Sequence, residues 1–159
     1  NEKYKLNIPT QDLIGYAAKL GSDCPFFIIN QACYATGRGE ILNSIQLNLS
    51  KYYFVLVNPG IHVNTKWAFE QITPAPSNKN LASILSEPIE EWRDLLVNDF
   101  EAPITKAYPA IGNIKNQLYQ LGASYAAMSG SGSTVFGIFK MKPSDKIKSA
   151  FDCSVFITS

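Results

Sequence analysis

Asp23 stands in the segment Gly21-Ser-Asp-Cys-Pro25, directly after a predicted helix and before an apolar Pro-Phe-Phe-Ile run. At such a corner a carboxylate can be held at the wall of a pocket, where it can orient a substrate hydroxyl and accept its proton. The same segment also suits a plain turn, in which the aspartate side chain bonds to nearby backbone amides. On the residues alone, both interpretations of Asp23 stay open.

The second candidate site is the loop Ser129-Gly-Ser-Gly-Ser133, which joins two predicted strands. Gly130 and Gly132 let backbone amides approach an anion without obstruction by a Cβ atom, and successive amides can form an anion-binding concavity. A flexible hairpin loop would have the same composition. No helix follows the loop and no G-x-x-x-x-G-K-[ST] motif occurs, so neither a dinucleotide fingerprint nor a Walker loop is present.

The other residues that could carry chemistry favour structural roles. His62 is the single histidine, so no catalytic triad or histidine metal cluster is indicated, and we predict no metal site. Trp67 and Phe69 lie on a predicted helix, where core packing is the default for each. Residues 37–40 read as a turn, and residues 98–101 most simply cap and solvate the end of a helix.

Composition excludes several classes of protein. The chain has 159 residues, 46% of them hydrophobic, with 14 Lys and Arg against 13 Asp and Glu. This describes a globular protein, and the absence of a basic block gives no footprint for nucleic acid or an anionic membrane. The three cysteines are scattered and free of C-x-x-C spacing, which favours a reducing compartment, the cytoplasm, over a disulfide framework.

Apolar periodicity predicts the elements that must position these residues. In the first part of the chain we expect a helix over 10–20, with Thr10 as N-cap, and strands over 25–29 and 32–36. Beyond a boundary near Ser50 we expect strands and helices in an α+β arrangement of the split βαβ kind, with an antiparallel sheet. Its predicted strands are 52–57, 123–128, 134–139 and 154–157. Its predicted helices are 65–71, 89–99, 109–121 and 144–151, with a short turn over 81–84.

Five segments, taken in order, resemble the GHMP small-molecule kinases. They are L-G-S-D-C-P-F-F-I, A-T-G-R-G-E-I-L, V-N-P-G-I-H-V-N-T-K-W-A-F, N-D-F-E-A-P and, after a long amphipathic helix, G-A-S-Y-A-A-M-S-G-S-G-S-T-V-F-G-I-F. Each segment alone is weakly specific. The G-x-D-x-P-F-F corner, the G-x-G-E turn and the S-G-S-G loop in this order and spacing are jointly a strong signal, and the resemblance covers most of the chain.

The resemblance implies two domains. Residues 1–50 match the tail of the family's nucleotide-binding domain, and residues 51–159 match its complete C-terminal domain, a ferredoxin-like split βαβ fold. Members of the family carry a glycine-rich loop that cradles the ATP phosphates ahead of the matched segments, and this sequence contains no such loop. We therefore expect the 159-residue chain by itself to be inactive.

The resemblance also implies roles for individual residues. Asp23 matches the catalytic aspartate, which orients and deprotonates the substrate hydroxyl. The third motif of the family is matched by Ser129, Gly130, Ser131 and Gly132. It lies against the phosphate-binding loop on the cofactor side of the site, so the resemblance leaves two roles open: contact with ATP, or bracing of that loop. Thr65 and Phe69 fall where similar kinases line a pocket for cytidine, with the aromatic ring stacking on the base.

The reaction implied by the resemblance is ATP-dependent phosphorylation of a hydroxyl of a cytidine diphosphate-linked methylerythritol, in the synthesis of isoprenoid precursors, with Mg²⁺ serving the triphosphate. Two alternatives stay open: another GHMP kinase, acting on mevalonate, homoserine or a sugar, and a non-catalytic ferredoxin-like binding domain. An unpaired sheet edge within residues 1–50 also leaves a homodimer open.

Overall fold

The computed structural model describes residues 1–37, 39, 41–74 and 80–159. The chain divides into two compact units, Asn1–Leu47 and Asn48–Ser159. Within the described part of the chain no helix is long and apolar enough to span a membrane.

The first unit consists of two helices followed by a hairpin. Helix α1 (Thr10–Leu20) begins after Pro9, so Thr10 is its first residue and not its N-cap as predicted. Its apolar spacing predicts one buried stripe, of which only Ala17 is buried; the other members are Leu13, Ile14, Tyr16 and Leu20. Strands β1 (Cys33–Thr36) and β2 (Ile41–Ser44) pair antiparallel around residues 37–40, of which Arg38 and Glu40 lie outside the described residues.

Helix α2 (Cys24–Ile29) replaces the strand that we expected over 25–29. Pro25 is the second residue of the helix, a position where no N–H donor is needed and where its fixed φ suits the first turn. Asn30 ends the helix in the left-handed conformation, and its N–H donates to the carbonyl of Phe26 at 2.7 Å. A run of five apolar residues fits a strand and a buried helix equally well, so the prediction followed β propensity and was wrong.

The second unit is built on a four-stranded sheet. Its elements in chain order are β3 (Tyr53–Asn58), α3 (Thr65–Glu70), α4 (Leu81–Ser86), a 3₁₀ turn (Ile89–Glu91), α5 (Trp92–Leu95), α6 (Glu101–Ala107), α7 (Pro109–Gln120), β4 (Tyr125–Met128), β5 (Val135–Phe139), a second 3₁₀ segment (Asp145–Ala150) and β6 (Ser154–Thr158). The strand order is β4-β5-β3-β6, and every neighbouring pair is antiparallel. β3 and β4 therefore run parallel with β5 inserted between them, which confirms the predicted split βαβ arrangement.

The core of the second unit lies between the sheet and helices α6 and α7. Val55 and Val57, two positions apart, lie on the same face of β3. Both are fully buried, as expected for a strand with one face against helices. Ile104 of α6 and Ile111 and Leu118 of α7 face this side and are at most 1% exposed. The apolar spacing of three and four residues in α7 predicted this helix to within one residue.

In the second unit one predicted helix was wrong in extent and one helix was not predicted. The helix expected over 89–99 ends at Leu95, because Leu96 is extended and its carbonyl accepts from the hydroxyl of Tyr125 at 2.8 Å. Helix α6 was not predicted, and Pro103 lies within it. Pro103 is the third residue of that helix, in the first turn, where proline removes no intrahelical hydrogen bond.

Candidate active site

The sheet of the second unit brings two connecting segments to one end. Val57 near the end of β3 and Met128 at the end of β4 both pair with Val135, the first residue of β5. Because β3 and β4 run in the same direction, the segments that leave them emerge on either side of the start of β5. One of these segments leads into α3, and the other is the loop of residues 129–133.

Thr65 and Ser131 meet at this end of the sheet. Thr65 is the first residue of α3, a helix capped by Asn64, whose side-chain oxygen accepts from the N–H of Trp67 at 2.9 Å. The hydroxyl oxygens of Thr65 and Ser131 lie 3.3 Å apart, within hydrogen-bonding distance. The structure thus brings together two residues that the resemblance assigned to different ligands.

Phe69 lies one turn further along α3 and is 59% exposed. Its ring packs edge to face against Phe100, with the ring centroids 4.9 Å apart. The core interpretation is therefore wrong for Phe69, whereas Trp67 packs against the core and against Tyr108. A partly exposed aromatic ring that is fixed by a second ring can stack on a planar ligand without a large loss of side-chain freedom.

The loop of residues 129–133 is closed by its own backbone. The N–H of Ser129 donates to the carbonyl of Thr134 at 2.8 Å, and the N–H of Gly132 donates to the carbonyl of Ser129 at 3.0 Å. Gly130 and Gly132 both have positive φ, at 54° and 92°. Among the described residues, the amides of Gly130 and Ser131 donate to no acceptor in the chain, so they are available to an anion.

The side chains of Asn98 and Glu101 form hydrogen bonds with the backbone at the start of this loop, a role that the sequence did not indicate. The side-chain amide of Asn98 donates to the carbonyls of Met128 at 2.9 Å and Gly130 at 2.8 Å. The Glu101 carboxylate accepts from the N–H of Met128 at 2.6 Å and forms an ion pair with Lys115. The prediction that residues 98–101 solvate a helix end was wrong for Glu101, which is only 8% exposed.

The signal for this arrangement was present in the sequence only as the N-D-F-E segment. Asn98 and Glu101 are separated from Met128 by 30 and 27 positions, and nothing in local periodicity couples residues that far apart. Such a pairing is set by the topology of the sheet, which the sequence pattern does not specify residue by residue.

Asp23 belongs to the first unit, whereas the other residues predicted for the site belong to the second. Its side chain is exposed, and it stands at the N-cap position of α2 without accepting a hydrogen bond from that helix. The hairpin turn lies beside it: a Cβ atom on Gly39 would be 3.4 Å from Asp23 Oδ1. The carboxylate is thus exposed and not used to cap the helix.

Sequence comparison relates the chain to known kinases. Residues 79–158 match the profile of the family described as GHMP kinases C terminal. The chain is 46% identical over 147 residues to 4-diphosphocytidyl-2-C-methyl-D-erythritol kinase of Bacteroides fragilis, covering 92% of this chain and 53% of that protein. A protein of the same name from Parabacteroides distasonis is 43% identical over 154 residues, covering 96% of this chain and 57% of that one. The chain spans about half the length of the curated relatives it matches.

Two solved structures share the fold. A crystal structure of 4-(cytidine 5'-diphospho)-2C-methyl-D-erythritol kinase matches with a TM-score of 0.82 at 23% identity, covering 98% of this chain and 58% of that one. Homoserine kinase from Cytophaga hutchinsonii matches with a TM-score of 0.58 at 14% identity, covering 100% of this chain and 60% of that one. At such identities the likeness establishes the fold alone. Because the family profile itself covers half of the residues, the chain belongs to the GHMP kinase family.

Proposed function

We propose that the full-length gene product transfers the γ-phosphoryl group of ATP to a hydroxyl of 4-diphosphocytidyl-2-C-methyl-D-erythritol, a step in the synthesis of isoprenoid precursors. In this proposal residues 1–50 are the tail of the nucleotide-binding domain and residues 51–159 are the C-terminal domain. The names of the relatives at 43% and 46% identity support this choice of substrate.

The observation that carries the proposal is the meeting of α3 with the loop of residues 129–133 through Thr65 and Ser131. It gives one surface that offers free backbone amides for a phosphate and, on the same helix as Thr65, an exposed aromatic ring for a base. Stacking of a base on an aromatic side chain stabilises binding by about 1–3 kcal/mol. We therefore assign Thr65 and Phe69 to the cytidine part of the substrate, and Ser129, Gly130, Ser131 and Gly132 to the phosphates of ATP.

Asp23 is the proposed catalytic residue. Its carboxylate accepts the proton of the substrate hydroxyl while the hydroxyl oxygen bonds to the γ-phosphorus, and the bond from that phosphorus to the bridging oxygen of ADP breaks. In a loose phosphoryl-transfer transition state the base acts mainly by position, so an exposed and ordinary carboxylate suffices. The exposure of the Asp23 side chain, which caps no helix, supports this role.

Three further features complete the proposal. Mg²⁺ is bound with the triphosphate, whose oxygens are ligands of the kind that this ion prefers. The reaction takes place in the cytoplasm, in keeping with three cysteines that are free thiols. We also infer that the 159-residue polypeptide associates as a homodimer through the first unit, where β1 and β2, among the described residues, each pair on one side only. Sedimentation of that polypeptide tests this last point, and a monomer at micromolar concentration would contradict it.

A panel of acceptors tests the proposed reaction. With Mg-ATP and the full-length gene product, we expect ADP release that depends on 4-diphosphocytidyl-2-C-methyl-D-erythritol and does not occur with homoserine, mevalonate or galactose. Release that depends on one of the other alcohols would assign the chain to another GHMP kinase. Absence of turnover with every acceptor, in a protein that binds the cytidine compound, would favour a non-catalytic binding domain.

A further inference from the structure

Both polar atoms of the Asn98 side chain form hydrogen bonds. Its amide nitrogen donates to the carbonyls of Met128 and Gly130, and its side-chain oxygen accepts from the N–H of Phe100 at 3.0 Å. The first two bonds bind the backbone at the residue before the loop of residues 129–133 and at the second residue of that loop. The third ties Asn98 to the residue whose ring holds Phe69.

The bond to Gly130 fixes the direction of one free amide. In a trans peptide group the carbonyl and the N–H point in opposite directions. Because the carbonyl of Gly130 is directed at Asn98, the N–H of Ser131 in the same peptide group is directed away from it. The positive φ of Gly130 permits this orientation of the peptide.

Glu101 binds the backbone of Met128, the residue just before the same loop. Met128 donates its N–H to Glu101 and accepts at its carbonyl from Asn98, so both backbone groups of this residue are bound by the N-D-F-E segment. The ion pair of Glu101 with Lys115 anchors the carboxylate to α7 in turn. The loop is thereby attached to a packed helix, which limits its freedom before any ligand binds.

We propose that Asn98 is a positioning residue for nucleotide binding: it sets the peptide plane of Gly130 and Ser131 so that the N–H of Ser131 is presented to a phosphate oxygen of ATP. This inference rests on the proposed function of the loop. Asn98 itself touches no ligand and acts only through the backbone of the loop.

The matched substitutions Asn98→Asp and Asp99→Asn test the inference in the full-length gene product. Asn98→Asp keeps the shape of the side chain but sets a carboxylate oxygen against the two carbonyls, whereas Asp99→Asn makes the reverse change on the exposed neighbour. We expect Asn98→Asp to raise the KM for ATP at least about tenfold, in line with loss of hydrogen bonds to partly buried acceptors. The KM for the acceptor alcohol should change less than about twofold, and Asp99→Asn should alter neither value.

Equal rises in both KM values with a lowered melting temperature would show a structural role only and would overturn the inference, as would unchanged kinetics in Asn98→Asp.

The amide resonance of Ser131 gives an independent readout that does not need turnover or a folded variant. On addition of Mg-ATP to the wild-type protein, this resonance should shift more than that of Gly112 on α7. If turnover is absent but the Ser131 resonance shifts, the proposed reaction fails and the inference stands. If turnover occurs without a shift, the inference alone fails.

Discussion

Asp23 is the residue that we propose as the general base. It stands at the N-cap position of α2, and its side chain is exposed and does not cap the helix. We predict that Asp23→Asn in the full-length gene product lowers kcat by about 10² to 10⁴ and leaves the KM for ATP nearly unchanged, because the amide keeps the shape and loses the base. Steady-state kinetics and calorimetric titration with Mg-ATP check this. Turnover close to wild type would show that Asp23 is a turn residue and not the base.

Gly130 and Gly132 differ in what a side chain would meet. A Cβ atom at Gly130 would have no heavy atom within 4 Å, whereas one at Gly132 would lie 2.9 Å from the sulfur of Met128. Alanine at Gly130 should therefore cost only the left-handed backbone, about 1 kcal/mol. At Gly132, where φ is 92°, backbone strain adds to overpacking against a buried side chain, and the free energy of unfolding should fall by about 2–4 kcal/mol.

Chemical denaturation measures both alanine variants, and kinetics on the full-length gene product should show that Gly132→Ala raises the KM for ATP more than that for the acceptor alcohol. Equal losses of stability at the two glycines would contradict the geometry of the loop. Equal changes of the two KM values would favour the interpretation of the loop as a plain hairpin connection without a role in ATP binding.

The sequence could point only to candidate residues that stand in a local pattern. The glycines of the loop and the aspartate after α1 lie in short motifs of this kind, and their roles at the site stay predictions. Glu101 was misjudged because its partners, Met128 and Lys115, lie 27 and 14 positions away, and its burial depends on where α6 and β4 meet. A buried carboxylate cannot be told from a solvated one by its neighbours in sequence alone.

Among the elements, helix α7 was predictable from its sustained apolar period, and strands β3, β4 and β5 were predictable from apolar runs bounded by turn residues. The predicted bounds of all four agree with the structure within two residues. Helix α2 has only six residues, too few to distinguish a period of 3.6 from a period of 2. Helix α6 contains a proline, a residue that counts against a helix in its interior but that the first turn accommodates.

The ion pair between Glu101 and Lys115 joins α6 to α7. The Glu101 side chain is 11% exposed and that of Lys115 27%, so removing the lysine leaves a poorly solvated carboxylate. We predict that Lys115→Met lowers the free energy of unfolding by about 1–3 kcal/mol, below the range for a fully buried pair because water still reaches the lysine. Lys106→Met, at an exposed position of α6, is the control and should cost less than about 0.5 kcal/mol. Equal effects of the two substitutions in urea denaturation would argue against a role for the pair in joining the helices.

At the scale of the whole chain, the two units differ in how much they bury. Among the described residues of the first unit only Ala17 and Pro25 are buried, whereas the second contains a continuous core. We predict that, in the 159-residue polypeptide, amides of α1 and α2 exchange with deuterium far faster than those of β3, β5 and α7, because local opening of the first unit exposes little apolar surface. Hydrogen exchange followed by mass spectrometry checks this, and equal protection in both units would refute it.

The central claim is the transfer of a phosphoryl group to a cytidine-linked alcohol, and ³¹P NMR of the reaction mixture tests it most directly. With the full-length gene product, Mg-ATP and 4-diphosphocytidyl-2-C-methyl-D-erythritol, we predict a new phosphomonoester resonance that grows in step with loss of the γ-phosphate signal, while the diphosphate bridge of the acceptor stays intact. Release of inorganic phosphate alone, or no change in the spectrum, would contradict the claim.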